Sequence, residues 1–465
     1  MSEHMPRLIL AGLSGGSGKT LLTLGLCRHF AQNGLVVKPF KKGPDYIDAA
    51  WMALAARRSA SNLDPFLMDT ALLRSLFADA SQGADMAIIE GNRGLFDGKD
   101  VQGTCSTAEL AKTLRAPVVL VVDCTKMTRT TAAIVQGCVG FDPELHIAGV
   151  VLNRTAGQRH RRIARQSVEY YTDVPVLGTL PKLRHNPIPE RHMGLVSDQE
   201  FAAEAPLEEL GQLMADWIDI PRIQSVGYAA STLPAEPGVL WPEPVTTEPV
   251  RIGVVRDAAL WFYYQENIEA LRRAGAEIAQ ISLLDDAPWP ELHGLYLGGG
   301  FPETLAPRLS AQKQVRERVA ALARSGLPIY AECGGLMYLC QELTYQETTY
   351  PMAGLFPVRA EMGKKPQGHG YTQARVLVSN PYHPQGAQIP GHEFHYSQCH
   401  TLHGETPPFA FFMERGCGIQ EGFDGFLSRN TLACYTHLHA LSSPHWAPNF
   451  VAASLAYKHS HTPSA

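Results

Sequence analysis

No uninterrupted apolar run in these 465 residues reaches the ~18–20 that a helix needs to cross a bilayer. Basic excess is also missing: 40 Lys and Arg stand against 45 Asp and Glu, a formal net charge of −5, which argues against nucleic acid or an anionic membrane surface as partner. The nine cysteines are scattered without a Cys-x-x-Cys pair, so neither a zinc site nor a disulfide framework is indicated. Most read as reduced, buried thiols of a cytoplasmic protein. The opening Met1-Ser2-Glu3-His4-Met5-Pro6-Arg7 runs straight into a short strand and does not read as a signal peptide. There is no internal repeat. What is present is an ordinary globular balance, 45% hydrophobic and 18% charged, in a chain too long for one core, so two or three domains are expected.

Residues 7–180 alternate β-type apolar runs (Leu8–Ala11, Val36–Phe40, Met86–Glu90, Val118–Asp123, Ile147–Asn153, Val174–Leu177) with helical patterns such as Leu21–Asn33 and Thr107–Leu114. That alternation predicts a parallel sheet covered on both faces, with ligands beyond the carboxyl ends of its strands. Between about Ser225 and Pro249 the pattern dissolves into proline-rich sequence and predicts a linker. Alternation resumes through Arg251–Val255, Asn267–Ala274, Glu277–Ile281, Gly294–Gly298, Lys313–Arg324 and Pro328–Glu332, with more hairpin-like character after Gly354. The expected division is an α/β nucleotide-binding domain over 1–224, a linker over 225–249 and a second α/β domain over 250–465.

In the first domain, Gly12-Leu13-Ser14-Gly15-Gly16-Ser17-Gly18-Lys19-Thr20 follows a strand. Its backbone N–H groups converge on phosphates, Lys19 neutralises charge, and Thr20 ligates Mg²⁺. Five residues separate Gly12 from Gly18 where a P-loop usually has four. Glu90, at a strand end beside this loop, suits Mg²⁺ directly or through water. Asp97 brings a second carboxylate on the next loop, or simply forms the Asp-Gly turn. Lys38-Pro39-Phe40-Lys41-Lys42-Gly43-Pro44-Asp45-Tyr46-Ile47-Asp48 packs lysines for an anionic substrate beside aspartates for metal; the alternative is a solvated charged loop. Asn153 either hydrogen-bonds adenine or ends its strand in a turn. This half resembles the dethiobiotin-synthetase-type ATPases, which share the stretched glycine loop. The resemblance implies phosphorylation of a carboxylate or carbamate.

In the second domain, Leu327-Pro328-Ile329-Tyr330-Ala331-Glu332-Cys333-Gly334-Gly335-Leu336 is an apolar run that breaks at a cysteine. A strand ending there and restarting as a helix holds the thiol on a tight elbow, with a pKa expected to fall at the helix N-terminus. The triglycine Gly298-Gly299-Gly300 lets backbone approach a ligand. The Gly299, Gly300 and Gly334 N–H groups are candidates for an oxyanion hole. Cys333 needs a base, and Ala433-Cys434-Tyr435-Thr436-His437-Leu438-His439 offers two. The segment resembles the Tyr-x-His of class I glutamine amidotransferases, which implies His437. Two departures stand out: Ala331 replaces the first glycine of the family's Gly-x-Cys-x-Gly, and His439 stands where many members have Glu. The third triad member is therefore unassigned, and a Cys–His dyad is the alternative.

Lys41-Lys42-Gly43-Pro44-Asp45-Tyr46-Ile47-Asp48, Glu90-Gly91-Asn92-Arg93-Gly94-Leu95-Phe96-Asp97-Gly98, Pro189-Glu190-Arg191-His192-Met193-Gly194-Leu195, Ala331–Leu339 and Gly391-His392-Glu393-Phe394-His395-Tyr396-Ser397 occur in order along the chain. Together they resemble the cobyrinate a,c-diamide synthases, glutamine-dependent amidases of cobalamin biosynthesis. The resemblance implies ATP-Mg²⁺ phosphorylation of a corrinoid carboxylate, ammonia from glutamine hydrolysis at Cys333 delivered internally, and two rounds of amidation. Thr20, Asp45 and Glu90 are then assigned to Mg²⁺, and Lys41, Lys42, Asp48, Asp97, Arg191 and His192 to the polyanionic substrate. Gly391–Ser397 is expected at the glutaminase or domain interface, because its histidines are spaced i, i+3 and not as a helical His-Glu-x-x-His zinc site. Rival readings keep the chemistry on hydrogenobyrinate or Ni-sirohydrochlorin of the coenzyme F430 route, or assign a cobyric acid synthase. A regulatory P-loop ATPase with a degenerate glutaminase domain is a different class. A homodimer is one open state of assembly.

Overall fold

The computed structural model describes residues 4–188, 190–191, 194–195, 204–234, 238, 240–404 and 406–461. His192 lies outside them, and of Arg191 only the backbone is described. The chain divides into two compact units, Met1–Gly238 and Val239–Ala465.

The first unit is built on seven strands: β1 (Arg7–Gly12), β2 (Val37–Lys42), β3 (Ser61–Leu63), β4 (Met86–Gly94), β5 (Val118–Asp123), β6 (Ile147–Thr155) and β7 (Val176–Pro181). They lie in the order β3-β2-β4-β1-β5-β6-β7, all pairs parallel. Leu8–Ala11, Ala87–Ile89 and Val118–Val122 are fully buried without alternation, as a sheet covered on both faces requires. β1 is flanked by β4 and β5, so the strand order reverses at its carboxyl end, where open α/β sheets take their ligands. Helix α1 (Lys19–Gln32) begins there, and helix α2 (Tyr46–Ala56) follows β2. β3 has no signature in the sequence: it has three residues, two of them polar.

The expected linker is shorter at both ends. Residues 225–228 belong to the helix Ile220–Tyr228, whose first turn is fixed by Asp219 accepting from Arg222 N–H (3.2 Å) and by Pro221, with Ile223 buried. At the other end, Arg273 lies over the Trp241 ring (5.9 Å) and Val245 N–H donates to Ala274 O (2.8 Å), tying that stretch to the second unit.

The second unit carries a ten-stranded sheet. Ala276–Ile281, Val250–Val255, Gly294–Leu297, Ile329–Glu332 and Thr431–Cys434 lie in that order and are parallel. The antiparallel continuation is Phe423–Ser428, Phe409–Arg415, Gly368–Val376, Gln388–His395 and His437–Leu438. Trp446 is fully buried against Tyr296 and Tyr330, ring centroids 5.4 Å apart in each case. A second, four-stranded sheet contains the hairpin Cys340–Tyr345/Thr348–Pro351. Its turn places Gln346 (φ 49°) and Glu347 (φ 65°) in the left-handed region. Without Asn-Gly or Asp-Gly at that position, nothing in the sequence announced it.

Candidate active sites

In the first unit the glycine loop closes the carboxyl end of β1. Gly18 sits at φ 96°, and a β-carbon there would collide with the Asn153 amide. Only glycine satisfies both constraints. Lys19 is nearly buried and folds back over the loop, donating to Ser14 O (2.9 Å) and Arg93 O (2.8 Å). Burial holds its ammonium below the usual lysine range, with Glu90 pulling the other way. Ser17 Oγ donates to Ser14 O (3.1 Å), and Asn153 Nδ2 to Ser17 O (2.9 Å). The amide of Asn153 thus braces the loop, while its Oδ1 accepts from Arg154 N–H (2.7 Å). Gly12, Gly15 and Gly16 complete the turn before α1, whose first N–H groups have no intrahelical acceptor.

Beside the loop lies a knot of carboxylates. Glu90 is fully buried; its Oε1 accepts from Thr20 Oγ1 (2.6 Å) and Lys41 Nζ (3.0 Å), and among the described residues its Oε2 has no hydrogen-bond partner. Lys41 Nζ also reaches Asp48 Oδ2 (2.6 Å) and Asp45 Oδ2 (3.7 Å). Burial alone would lower the Lys41 ammonium, but Asp48, Glu90 and Asp45 outweigh it and hold it well above its usual range. Glu90 is pushed up by burial despite Lys41. Asp45 caps α2 through Asp48 N–H (2.9 Å). Lys42 is buried next to Asp64, and burial lowers it. Asp97 accepts from Gly94 N–H (3.0 Å) and so forms the turn of its own loop, on the exposed side. The Glu90 Oε2 and Thr20 Oγ1 oxygens are hard donors of the kind Mg²⁺ takes, but Asp45, Asp48 and Glu90 converge on the Lys41 ammonium, and among the described residues no group of three or more His, Cys, Asp or Glu side chains is placed to hold a metal ion.

In the second unit the strand Ile329–Glu332 stops at Cys333, held at φ 46°, ψ −97°, and the helix Gly334–Leu339 begins. Cys333 N–H donates to Cys434 O (2.7 Å), which locks the elbow onto the next strand. The triglycine lies against it. A β-carbon on Gly334 would come within 3.0 Å of Gly300 N, and one on Gly299 within 2.6 Å of His437 Cε1. Cys333, His437, Gly299, Gly300 and Gly334 are therefore brought together from three separate parts of the sequence. The expected acidic shift of the thiol is corrected. Burial and the nearby Glu303 push Cys333 well above the usual thiol range, against the Gly334 N–H. The helix has only six residues, too short to oppose desolvation and buried carboxylates. With its pKa raised in this way, the Cys333 thiol would need a base in order to act as a nucleophile.

His437 is 2% exposed. Its Nδ1 faces Glu332 Oε2 at 3.2 Å, and His392 stacks on its other side, centroids 4.9 Å apart. His439 faces Glu266 (3.5 Å) and accepts from Leu441 N–H (3.3 Å), away from the nucleophile's base. Of the Gly391–Ser397 cluster, His392 meets His437, whereas Glu393 caps Cys417 and Gly418 N–H (2.6 and 3.0 Å) and His395 stacks on Tyr435 (3.6 Å).

Residues 8–196 match the CobQ/CobB/MinD/ParA nucleotide binding domain and residues 251–445 the CobB/CobQ-like glutamine amidotransferase domain. Along nearly its whole length the chain is 42% identical to a cobyrinate a,c-diamide synthase of Magnetococcus marinus, covering 96% of this chain and 97% of that one. It is 39% identical to that of Archaeoglobus fulgidus, covering 98% of each. The chain belongs to the cobyrinate a,c-diamide synthase family. Its fold is that expected, a P-loop α/β unit followed by a class I glutamine amidotransferase α/β unit. Among the described residues, no helix is long and apolar enough to cross a membrane.

Within this family member, two residues at the sites carried no sequence signal. Arg93 adopts φ 52°, and that bend aims its carbonyl at Lys19. Glu332 read as the last residue of an apolar strand, yet it is the carboxylate beside His437. A carboxylate next to a cysteine was the available clue. Gly18 offers a direct check of the loop: Gly18→Ala should weaken ATP binding at least about tenfold, since the site has both a positive φ and no room. Calorimetric titration with a non-hydrolysable ATP analogue reads this, and unchanged affinity would show that the loop rearranges freely.

Proposed function

We propose that this chain uses ATP and glutamine to convert the c and a side-chain carboxylates of cobyrinate to carboxamides, in the cytoplasm. The observation that carries the proposal is the coexistence of a thiol elbow with its histidine and a lysine-bearing glycine loop, in a chain similar end to end to enzymes of that name.

In the second unit His437 takes the Cys333 proton, and the sulfur attacks the amide carbon of glutamine. Charge developing on the carbonyl oxygen meets the N–H groups of the Gly299–Gly300 and Gly334 segments. The proton passes from His437 to the departing nitrogen, which leaves as ammonia, and water releases glutamate from the thioester.

In the first unit Lys19 exchanges its carbonyl acceptors for phosphate oxygens, and loop N–H groups hold the triphosphate. Thr20, Asp45 and Glu90 would hold Mg²⁺, which would supply charge neutralisation at the transferring phosphoryl group. Lys42, with Lys41 behind it, offers positive charge to a substrate carboxylate. The carboxylate takes the γ-phosphoryl group, becomes an acyl phosphate with a good leaving group, and ammonia displaces phosphate to give the amide.

Product mass analysis with ATP-Mg²⁺, glutamine and, in parallel, cobyrinate, hydrogenobyrinate and Ni-sirohydrochlorin tests this reading. The expected result is loss of ~1 Da per amidation, twice, on cobyrinate; a mass change of this size is the replacement of OH by NH₂. Turnover confined to either of the other rings would reassign the substrate, and no turnover of any would overturn the function.

A further inference from the structure

We propose that Glu332, the residue immediately before the nucleophile, is the positioning residue that fixes His437 in the tautomer able to act as a base. The proposal rests on the glutaminase reading above and supplies the carboxylate that the position of His439 leaves missing.

Glu332 is 1% exposed, and two donors besides His437 face its carboxylate. Leu438 N–H donates to Oε1 at 3.3 Å. Tyr296 OH lies 3.2 Å from Oε2, and because Asn267 Nδ2 donates to the Tyr296 oxygen (3.2 Å), the hydroxyl proton is directed at Glu332. A carboxylate that receives these bonds can only accept from the third neighbour, His437 Nδ1 at 3.2 Å. The imidazole proton is thereby placed on Nδ1, and Nε2 keeps the lone pair that takes the proton from Cys333. Asn267 also holds the histidine segment from behind, donating to Leu438 O (3.0 Å) and accepting from Ala440 N–H (2.7 Å).

The electrostatics favour the same role. Burial and the two neighbouring histidines, His437 first, hold His392 well below the usual imidazole range, so this stacked ring stays neutral. Among the described residues, Glu332 faces no lysine or arginine as a hydrogen-bond or ion-pair partner. Its charge is therefore available to stabilise the imidazolium that forms once Cys333 gives up its proton. One residue step along the chain separates orienter and nucleophile. The pairing of Glu332 with Cys434 across the sheet sets both against the strand that leads into His437.

Glu332→Gln tests the idea in the full chain. Its amide can donate to Nδ1 and invert the tautomer. The expected result is a fall in kcat/KM for glutamine of roughly 10²–10⁴, with the ascending limb of the pH profile moved to lower pH, because a neutral amide replaces an anion at the site. Synthesis supported by ammonium salts should persist within about threefold, showing an intact fold. Glu332→Asp should restore part of the activity and the original limb. Glutamine turnover within about threefold of the parent, or a lowered plateau with an unmoved limb, would overturn the assignment. Should the amide variant not fold, ¹⁵N spectra of the histidine-labelled parent at neutral pH decide: an Nδ1–H tautomer for His437 is expected, and Nε2–H refutes the proposal. Absence of glutamine turnover in the parent itself would instead sink the glutaminase reading.

Discussion

Cys333→Ala is expected to abolish glutamine-supported amide formation and to leave amidation from ammonium salts close to normal. The side chain removed is the only sulfur on the elbow, and water is a far weaker nucleophile toward an amide. Loss of at least ~10³ in glutamate release is expected. The second half of the expectation is the more informative one. Cys333 lies within the unit Val239–Ala465 and the glycine loop within Met1–Gly238, so phosphoryl transfer has no chemical need of the thiol. The substitution also relieves no essential packing, because alanine keeps the β-carbon and the elbow's hydrogen bond from Cys333 N–H to Cys434 O is a backbone one. Product formation from ammonium salts and glutamate release are measured side by side. A variant that free ammonia cannot rescue would mean that the two chemistries are not separable.

Lys19→Ala should eliminate synthesis from either nitrogen source while glutamine turnover remains measurable. Lys19 is the cation that reaches across the loop, bonded to Ser14 O on one side and Arg93 O on the other. Removing it strips two carbonyls of their donor and the phosphates of their neutralising charge. A loss on the order of 10²–10³ in the phosphoryl-transfer step follows from deleting one preorganised electrostatic contact of this kind. The readout is ADP and amide product, with glutamine and separately with ammonium salt. Near-normal amidation would remove the loop from the chemistry altogether.

The contrast between these two sites explains how much could be read without coordinates. The loop was legible because its function depends on glycines and a lysine in one short segment. The elbow was legible because a buried strand rarely ends in Cys-Gly-Gly. The strand order was only half legible: alternation gave β1, β2 and β4 to β7, but β3 is a polar tripeptide that earns its place solely by pairing with β2. The partner of His437 was missed because a family habit, acid two residues after the histidine, directed attention to position 439. In the fold His439 turns toward Glu266, and the acid arrives from the end of Ile329–Glu332, which pairs with the strand that leads into His437. The thiol's pKa was misjudged for a related reason. Sequence displays the helix that follows the cysteine but not the Glu303 carboxyl, itself raised to about 7 by burial, that the fold sets near it. Long-range electrostatics has no signature in local order.

The backbone angles at Cys333 carry one more implication. A side chain is being kept where only a residue without a β-carbon would be at ease, at a cost of about 1–3 kcal/mol. Cys333→Gly should therefore yield a chain that melts no earlier than its parent while being chemically silent at that position. Backbone ease and a thiol for nitrogen release would then pull in opposite directions at this one residue.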